Sequence, residues 1–94
     1  MRVRWLARAL RDLEAIADYI AEDNPGAALR MVDRVESCTE GLADSPHRGR
    51  AGRVDGTREL VVTGTPYLVI YRVTTSTVDV LRVLHGAQQW PPVE

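Results

Sequence analysis

Lysine is missing from this chain: all twelve of its basic residues are arginine. Arginine keeps its proton at working pH, so proton transfer must come from other side chains. A Walker-type phosphate loop, which requires a lysine, is excluded. Cysteine is almost missing too. Cys38 stands alone, cannot close an internal disulfide and fits a reducing compartment, so a cytoplasmic protein is expected. Its place on an apolar helical stripe points to packing rather than nucleophilic catalysis. The two histidines, His47 and His85, carry no ligand spacing, so neither a metal nor another cofactor is expected. No apolar run approaches the ~20 residues that cross a bilayer. Met1-Arg2-Val3-Arg4-Trp5 has neither the apolar stretch nor the cleavage site of a secretory leader, and no membrane association is expected.

What is present is an ordinary globular composition, 45% hydrophobic over 94 residues, which predicts a single domain over 1–94 with a modest core. The net charge of −1 argues against a protein that simply coats nucleic acid. The charge is unevenly placed. Residues 1–45 hold six arginines against nine acidic residues, a balance of −3, whereas 46–94 hold six against four, a balance of +2. An anionic partner would favour the second half.

Val3 and Trp5 alternate with Arg2 and Arg4, the period of a short half-buried strand. From Leu6 to Ala21 the period becomes helical, with Leu6, Leu10, Leu13, Ile16, Ala17 and Ile20 on one stripe and no capping side chain ahead of it. Asn24-Pro25 is a cap followed by proline at the first helical position. It opens a second helix to about Ala43, with Ala28, Val32, Val35, Cys38, Thr39 and Leu42 as its apolar stripe. The short connection predicts an antiparallel hairpin. Residues 46–57, rich in glycine and arginine, read best as a flexible, solvated connector. Strands follow at about 58–63, 67–74 and 77–84 with turn residues between them. The middle strand is apolar on both faces through Ile70 and suits a central position. The expected class is α+β: a short N-terminal strand, then an antiparallel helical hairpin packed on a C-terminal antiparallel β-meander.

Chemistry in such a chain has few homes. Arg82 interrupts an apolar strand row, reading by alternation as sharing a face with Val78, Val80 and Leu84; Arg72 shares a face with Leu68 and Ile70. A charge inside an apolar row is paired, lies at an open sheet end, or contacts an anion. Contact with an anion is favoured for Arg82. For Arg58 and Arg72 an Arg–Glu pair across neighbouring strands is an equal reading. His85 ends the last strand before Gly86, and a side chain that titrates near neutrality suits acid–base work there, although a lone histidine at a strand end is more often structural. His47, Arg48, Arg50 and Arg53 among Gly49, Gly52 and Gly56 offer a weak phosphate-loop signal.

In order and spacing, several segments together resemble the ParE/RelE superfamily of small toxins from type II toxin–antitoxin systems. They are Trp5, Asp12-Leu13, Tyr19-Ile20, Asn24-Pro25, Gly49-Arg50, Thr57-Arg58-Glu59-Leu60, Val69-Ile70-Tyr71-Arg72-Val73, Val80 to Gly86 and Trp90-Pro91. The long helical hairpin and the Leu-Arg-Val-Leu-His-Gly ending look more like the ParE branch. The resemblance implies a RelE/ParE-like fold and a cognate ParD-like antitoxin, with operator DNA reached only through that antitoxin. It also implies one of two actions. ParE-like members are associated with inhibition of DNA gyrase; RelE-like members cut messenger RNA on the ribosome.

The residues lean toward gyrase inhibition by binding. Cleavage through a 2′-hydroxyl needs a base, an acid and charge stabilisation around one phosphate. Arg58, Arg72, Arg82 and His85 are the candidates for a nuclease, but lysines are absent and Leu68 stands where nuclease members can carry arginine. For target or partner binding the candidates are Arg50, Arg58, Arg82, His85 and Trp90. A third reading is a degenerate toxin that only binds antitoxin. Val61, Val80 and the exposed helix edges are the apolar surface expected to receive a partner.

Overall fold

The computed structural model describes residues 1–88 and 90–91. In chain order it holds β1 (Arg2–Trp5), α1 (Ala7–Ala21), α2 (Pro25–Glu40), a single 3₁₀ turn (Gly41–Ala43), β2 (Arg50–Ala51), β3 (Arg58–Val61), β4 (Tyr67–Val73) and β5 (Thr77–His85). The strands form one sheet in the order β1-β5-β4-β3-β2, with β4 in the middle as its two apolar faces imply. β1 runs parallel to β5, and every other neighbouring pair is antiparallel. The first strand therefore completes the sheet beside the last one, and all the chain from α1 to β4 lies between the two parallel partners.

α1 starts without a side-chain cap, as expected. Its entry is fixed instead by the sheet, because the Leu6 N–H is donated to the Val80 carbonyl at 3.0 Å. α2 has the cap that its sequence announces: Asn24 Oδ1 accepts from the Ala27 N–H at 3.0 Å, with Pro25 at the first turn. The α-helix ends at Glu40, and the last expected turn tightens to 3₁₀ geometry, a common ending for orphan carbonyls.

Both helices cover one face of the sheet. Ala9, Leu13, Met31, Val35 and Leu42 pack there against Leu60, Val62, Val69, Tyr71, Val78, Val80 and Val83, flanked by Val3 and Trp5. Two expectations change. Leu10 is exposed rather than on the inner stripe, and Ala9 takes its place, letting α1 approach the sheet closely. Val80 is fully buried beneath the helices and is not a docking residue; Val61, on the other face, is exposed.

The second face carries no helix. Leu68, Ile70 and Leu84 form a small apolar patch there, covered by Leu81 and Trp90. The segment after β5 turns back at Gly86, whose N–H is donated to the Pro66 carbonyl at 2.7 Å, and brings Trp90 over the sheet. No helix among the described residues is long and apolar enough to cross a membrane.

Candidate functional site

The position of Arg82 is decided by a β-bulge. Ile70 pairs with Arg82 but Tyr71 pairs with Val80, so Leu81 is the extra residue. An extra residue inverts the alternation beyond it. Val78 and Val80 consequently face the helices, while Arg82 joins Ile70, Leu68 and Leu84 on the open face, which corrects the shared face read from simple alternation. Arg82 is not free to meet an anion. Its Nε and Nη2 donate to the two Asp12 carboxylate oxygens at 2.7 and 3.1 Å. The same carboxylate accepts the Val83 N–H at 3.0 Å. β1 stops pairing opposite Val80, so Asp12 of α1 takes over the β5 edge where the strand leaves off. The Arg82 guanidinium carbon also lies 5.7 Å from the centre of the Trp90 ring, a cation–π contact that holds the C-terminal segment down.

Arg50, Arg58 and Arg72 are engaged as well. Arg58 Nη1 donates to the Gly49 carbonyl at 2.8 Å and to that of His47 at 3.5 Å, on the helix side of the sheet. Arg4 grips Asp79 with two hydrogen bonds of 3.1 and 2.8 Å; Thr77 Oγ1 donates to Asp79 at 2.9 Å and Arg72 at 3.5 Å. Arg50 Nη2 and the Arg53 N–H donate to Glu59 at 3.2 and 3.0 Å. Arg72 does pair across strands, but with Asp79 rather than with a glutamate. Among the described residues Arg58 has no carboxylate partner, and Glu59 is taken by Arg50 and Arg53.

Asp79 and Glu59 are 1 and 2 % exposed, yet both carboxyls titrate below their ordinary values. At Asp79 the Arg4 hydrogen bonds dominate, over the opposing effect of burial. At Glu59 burial is the largest single influence and pushes upward, but the Arg53 N–H and the Arg50 and Arg53 guanidiniums together outweigh it.

The connector at 46–57 is ordered, against expectation. The buried Tyr71 hydroxyl donates to the Pro46 carbonyl at 2.7 Å and accepts the Gly49 N–H at 2.9 Å. Gly49 sits so close to this ring that a Cβ would stand 2.7 Å from the hydroxyl oxygen, so only glycine fits. Residues 50–51 then add the short β2, which the glycine-rich composition concealed.

His85 lies at the far end of β5, exposed, with its ring edge-on to Tyr67 at 5.7 Å between centroids. Its Nδ1 accepts the Ala87 N–H at 3.0 Å, so the neutral ring carries its proton on Nε2. Tyr67 pairs with His85 and Arg72 with Asp79, five residues along β4. At ~3.4 Å per residue that is about 17 Å. Arg58 is on the opposite face from Arg72 and Arg82. The four nuclease candidates therefore do not meet around one phosphate.

Asp79 was absent from the expected site residues, and Asp12 and Glu59 stood only among the residues of the resemblance; these three carboxylates hold Arg4, Arg50, Arg53, Arg72 and Arg82. Alternation places Asp79 and Glu59 inward among apolar neighbours, and that was the signal available. Asp12 had only its place in the resemblance, because a helical aspartate looks solvated until the strand beside it is known.

Two helices on one face of a five-stranded mixed sheet is a fold shared with the solved toxin–antitoxin structures to which the chain is similar. The chain belongs to the family of the ParE toxin of the type II toxin–antitoxin system parDE, whose family model matches residues 3–90. It is 47% identical over 92 residues to the putative toxin Y4kP of Sinorhizobium fredii, covering 98% of this chain and 95% of that protein. It is 42% identical to toxin RelE2 of Caulobacter vibrioides, covering 93% and 97% respectively. Among solved structures it is similar to the chromosomal ParDE toxin–antitoxin system from P. aeruginosa, with a TM-score of 0.81 and 28% identity over 90% of this chain and 95% of that one. It is also similar to the toxin–antitoxin complex RelBE2 from Mycobacterium tuberculosis, with a TM-score of 0.66 and 30% identity over 89% and 95%. Relatives carry names from both branches, so kinship gives a toxin of the ParE/RelE superfamily and leaves its target open.

Proposed function

We propose that this chain is the toxin of a ParDE-like pair, arrests growth by binding DNA gyrase, and is neutralised by a ParD-like antitoxin. One observation carries the choice against nuclease chemistry. Arg58, Arg72 and Arg82 each donate to groups of the protein itself, and His85 stands about 17 Å from the Arg72–Asp79 pair along the strands. Charge stabilisation of a scissile phosphate needs donors aimed at one point, and these are aimed at carbonyls and carboxylates instead. An antitoxin partner is supported by large apolar side chains left in solvent on the hairpin (Leu10, Tyr19 and Leu29) and by Val61 on the sheet.

The test is supercoiling by purified gyrase with the chain added. Inhibition or trapped DNA cleavage, relieved by the cognate antitoxin, is expected; full activity at saturating toxin refutes the proposal. The kinship to a protein named RelE2 keeps messenger RNA cleavage as the second reading. It requires cuts in a translating extract that disappear with His85→Ala.

A further inference from the structure

The helix-free face is organised by two matching clusters. In each, one buried carboxylate holds two arginines that remain largely in solvent. Asp79 lies between Arg4 and Arg72, and Glu59 between Arg50 and Arg53, with the four arginine side chains 48 to 60 % exposed. Each cluster keeps one surplus positive charge, and its negative charge lies underneath, away from solvent. Arg2, exposed on the same strand face as Arg4, adds another.

The register sets the spacing. Arg4, Asp79 and Arg72 form one row across β1, β5 and β4; Ile70, Glu59 and Arg50 form the next same-face row across β4, β3 and β2. From Asp79 to Glu59 is two strand spacings across and two residues along, about 12 Å. It keeps the two arginine pairs apart as separate positive centres on one face. An ordinary surface arginine loses side-chain entropy when it contacts a ligand; here the buried carboxylates hold Arg4 and Arg50 beforehand at 2.8 and 3.2 Å, with Arg72 and Arg53 looser at 3.5 and 3.9 Å.

The face also lacks what single-stranded nucleic acid requires. Bases freed from a duplex are bound by stacking on aromatic rings. Of the five aromatic residues, Trp5, Tyr67 and Tyr71 face the helices, Tyr19 lies on α1, and Trp90 is folded onto Ile70 and Leu84 beside Arg82. Trp90 is the one ring on this face among the described residues, and it is already packed on the Ile70 and Leu84 patch and against Arg82. What remains is charge at fixed spacing on a sheet surface, which suits a regular phosphate lattice.

We propose that the helix-free sheet face binds the sugar–phosphate backbone of duplex DNA, with Arg4, Arg72, Arg50 and Arg53 as its phosphate-contacting residues. The binding is independent of base sequence, so it leaves operator recognition to the antitoxin. It also stands apart from the gyrase reading, although a toxin that meets a DNA-bound enzyme would gain a second contact from it.

The test is fluorescence anisotropy of a labelled duplex of arbitrary sequence, titrated with the full chain at low and at physiological salt. The outer arginine of each cluster can be removed without stripping the buried carboxylate. Arg72→Gln leaves the two Arg4 bonds to Asp79, and Arg53→Gln leaves its own N–H and Arg50 on Glu59. The double variant R53Q/R72Q is expected to bind about tenfold more weakly, with a salt slope shallower by about 2, close to 0.9 per lost phosphate contact. R8Q/R11Q, an equal charge change on exposed positions of α1, is expected to bind like the parent chain. Arg2→Gln, at a side chain with no hydrogen bond or ion pair among the described residues, is expected to weaken binding in the same direction and guards against a folding defect in the double variant. Three results would overturn the proposal: no duplex binding at low salt, equal losses in the α1 control, or displacement of the duplex by single-stranded RNA or an acidic peptide at lower concentration. Gyrase inhibition without duplex binding would remove this inference and leave the gyrase reading intact; the converse would do the opposite.

Discussion

Replacing Asp12 by alanine removes three hydrogen bonds at once, two from Arg82 and one from the Val83 N–H. Asp12 and Arg82 are 13 and 15 % exposed, so the stranded guanidinium has little access to water. Breaking a buried ion pair by removing one partner costs about 3–5 kcal/mol, and the thin solvent access here argues for the low end, near 3 kcal/mol. A domain of this length has a total stability of about 5–14 kcal/mol, and each kcal/mol shifts its melting temperature by about 4–8 °C. Asp12→Ala is therefore expected to melt at least ~12 °C below the parent chain. The pair as a whole is not a strong net stabiliser, because both charges were desolvated to make it. Asp12→Leu combined with Arg82→Met should recover most of the loss, leaving about 1 kcal/mol for the unpaired Val83 N–H. Thermal melts of the two single variants and the double form the cycle. A loss below ~1 kcal/mol for Asp12→Ala would mean that the contact behaves as a surface pair and that Arg82 is available for other work.

Acid should unfold the chain through its two buried carboxylates. Asp79 and Glu59 titrate below their ordinary 3.8 and 4.5, so their contribution is present above those values and is lost as pH falls through the lower folded ones. Melting temperature should be level above about pH 5 and fall below about pH 4, and Arg4→Gln should flatten the fall; an unchanged melt down to about pH 2 would refute this. Tyr71→Phe leaves the Gly49 N–H and the Pro46 carbonyl without their buried partner, an expected loss of about 2 kcal/mol with increased hydrogen exchange at Gly49. Gly49→Ala should be at least as damaging in the same melt, because its methyl collides with the Tyr71 ring. Asn24→Ala removes the cap of α2 and is expected to cost about 1 kcal/mol in chemical denaturation.

Helices, strands and the central place of β4 were legible because each rests on local pattern: apolar spacing, the Asn24-Pro25 cap, and turn residues between strand runs. The chemistry was legible only in part. Arg82 stood out as a charge in an apolar row, but its face depends on the bulge at Leu81, and nothing in Val80-Leu81-Arg82-Val83 announces a bulge. Its partner lies seventy residues away on α1, a distance that periodicity cannot bridge. The order of residues 46–49 was hidden for a related reason. Glycine and arginine spell a loose connector, and it is the Tyr71 hydroxyl, arriving from the middle of the sheet, that pins it. The exposed Leu10 shows the limit of stripe reading itself, since the closer-packing Ala9 carries too little hydrophobic signal to win the position on paper.

The most direct test is the topology of a reporter plasmid in cells induced to make the chain without its antitoxin, for the parent sequence and for His85→Ala. Binding to gyrase without nuclease chemistry should leave the plasmid relaxed or trapped in cleaved form at the onset of growth arrest, equally in both. Plasmid that stays negatively supercoiled while growth stops, with His85→Ala restoring growth, would contradict the gyrase reading and return Arg82 and His85 to a catalytic site.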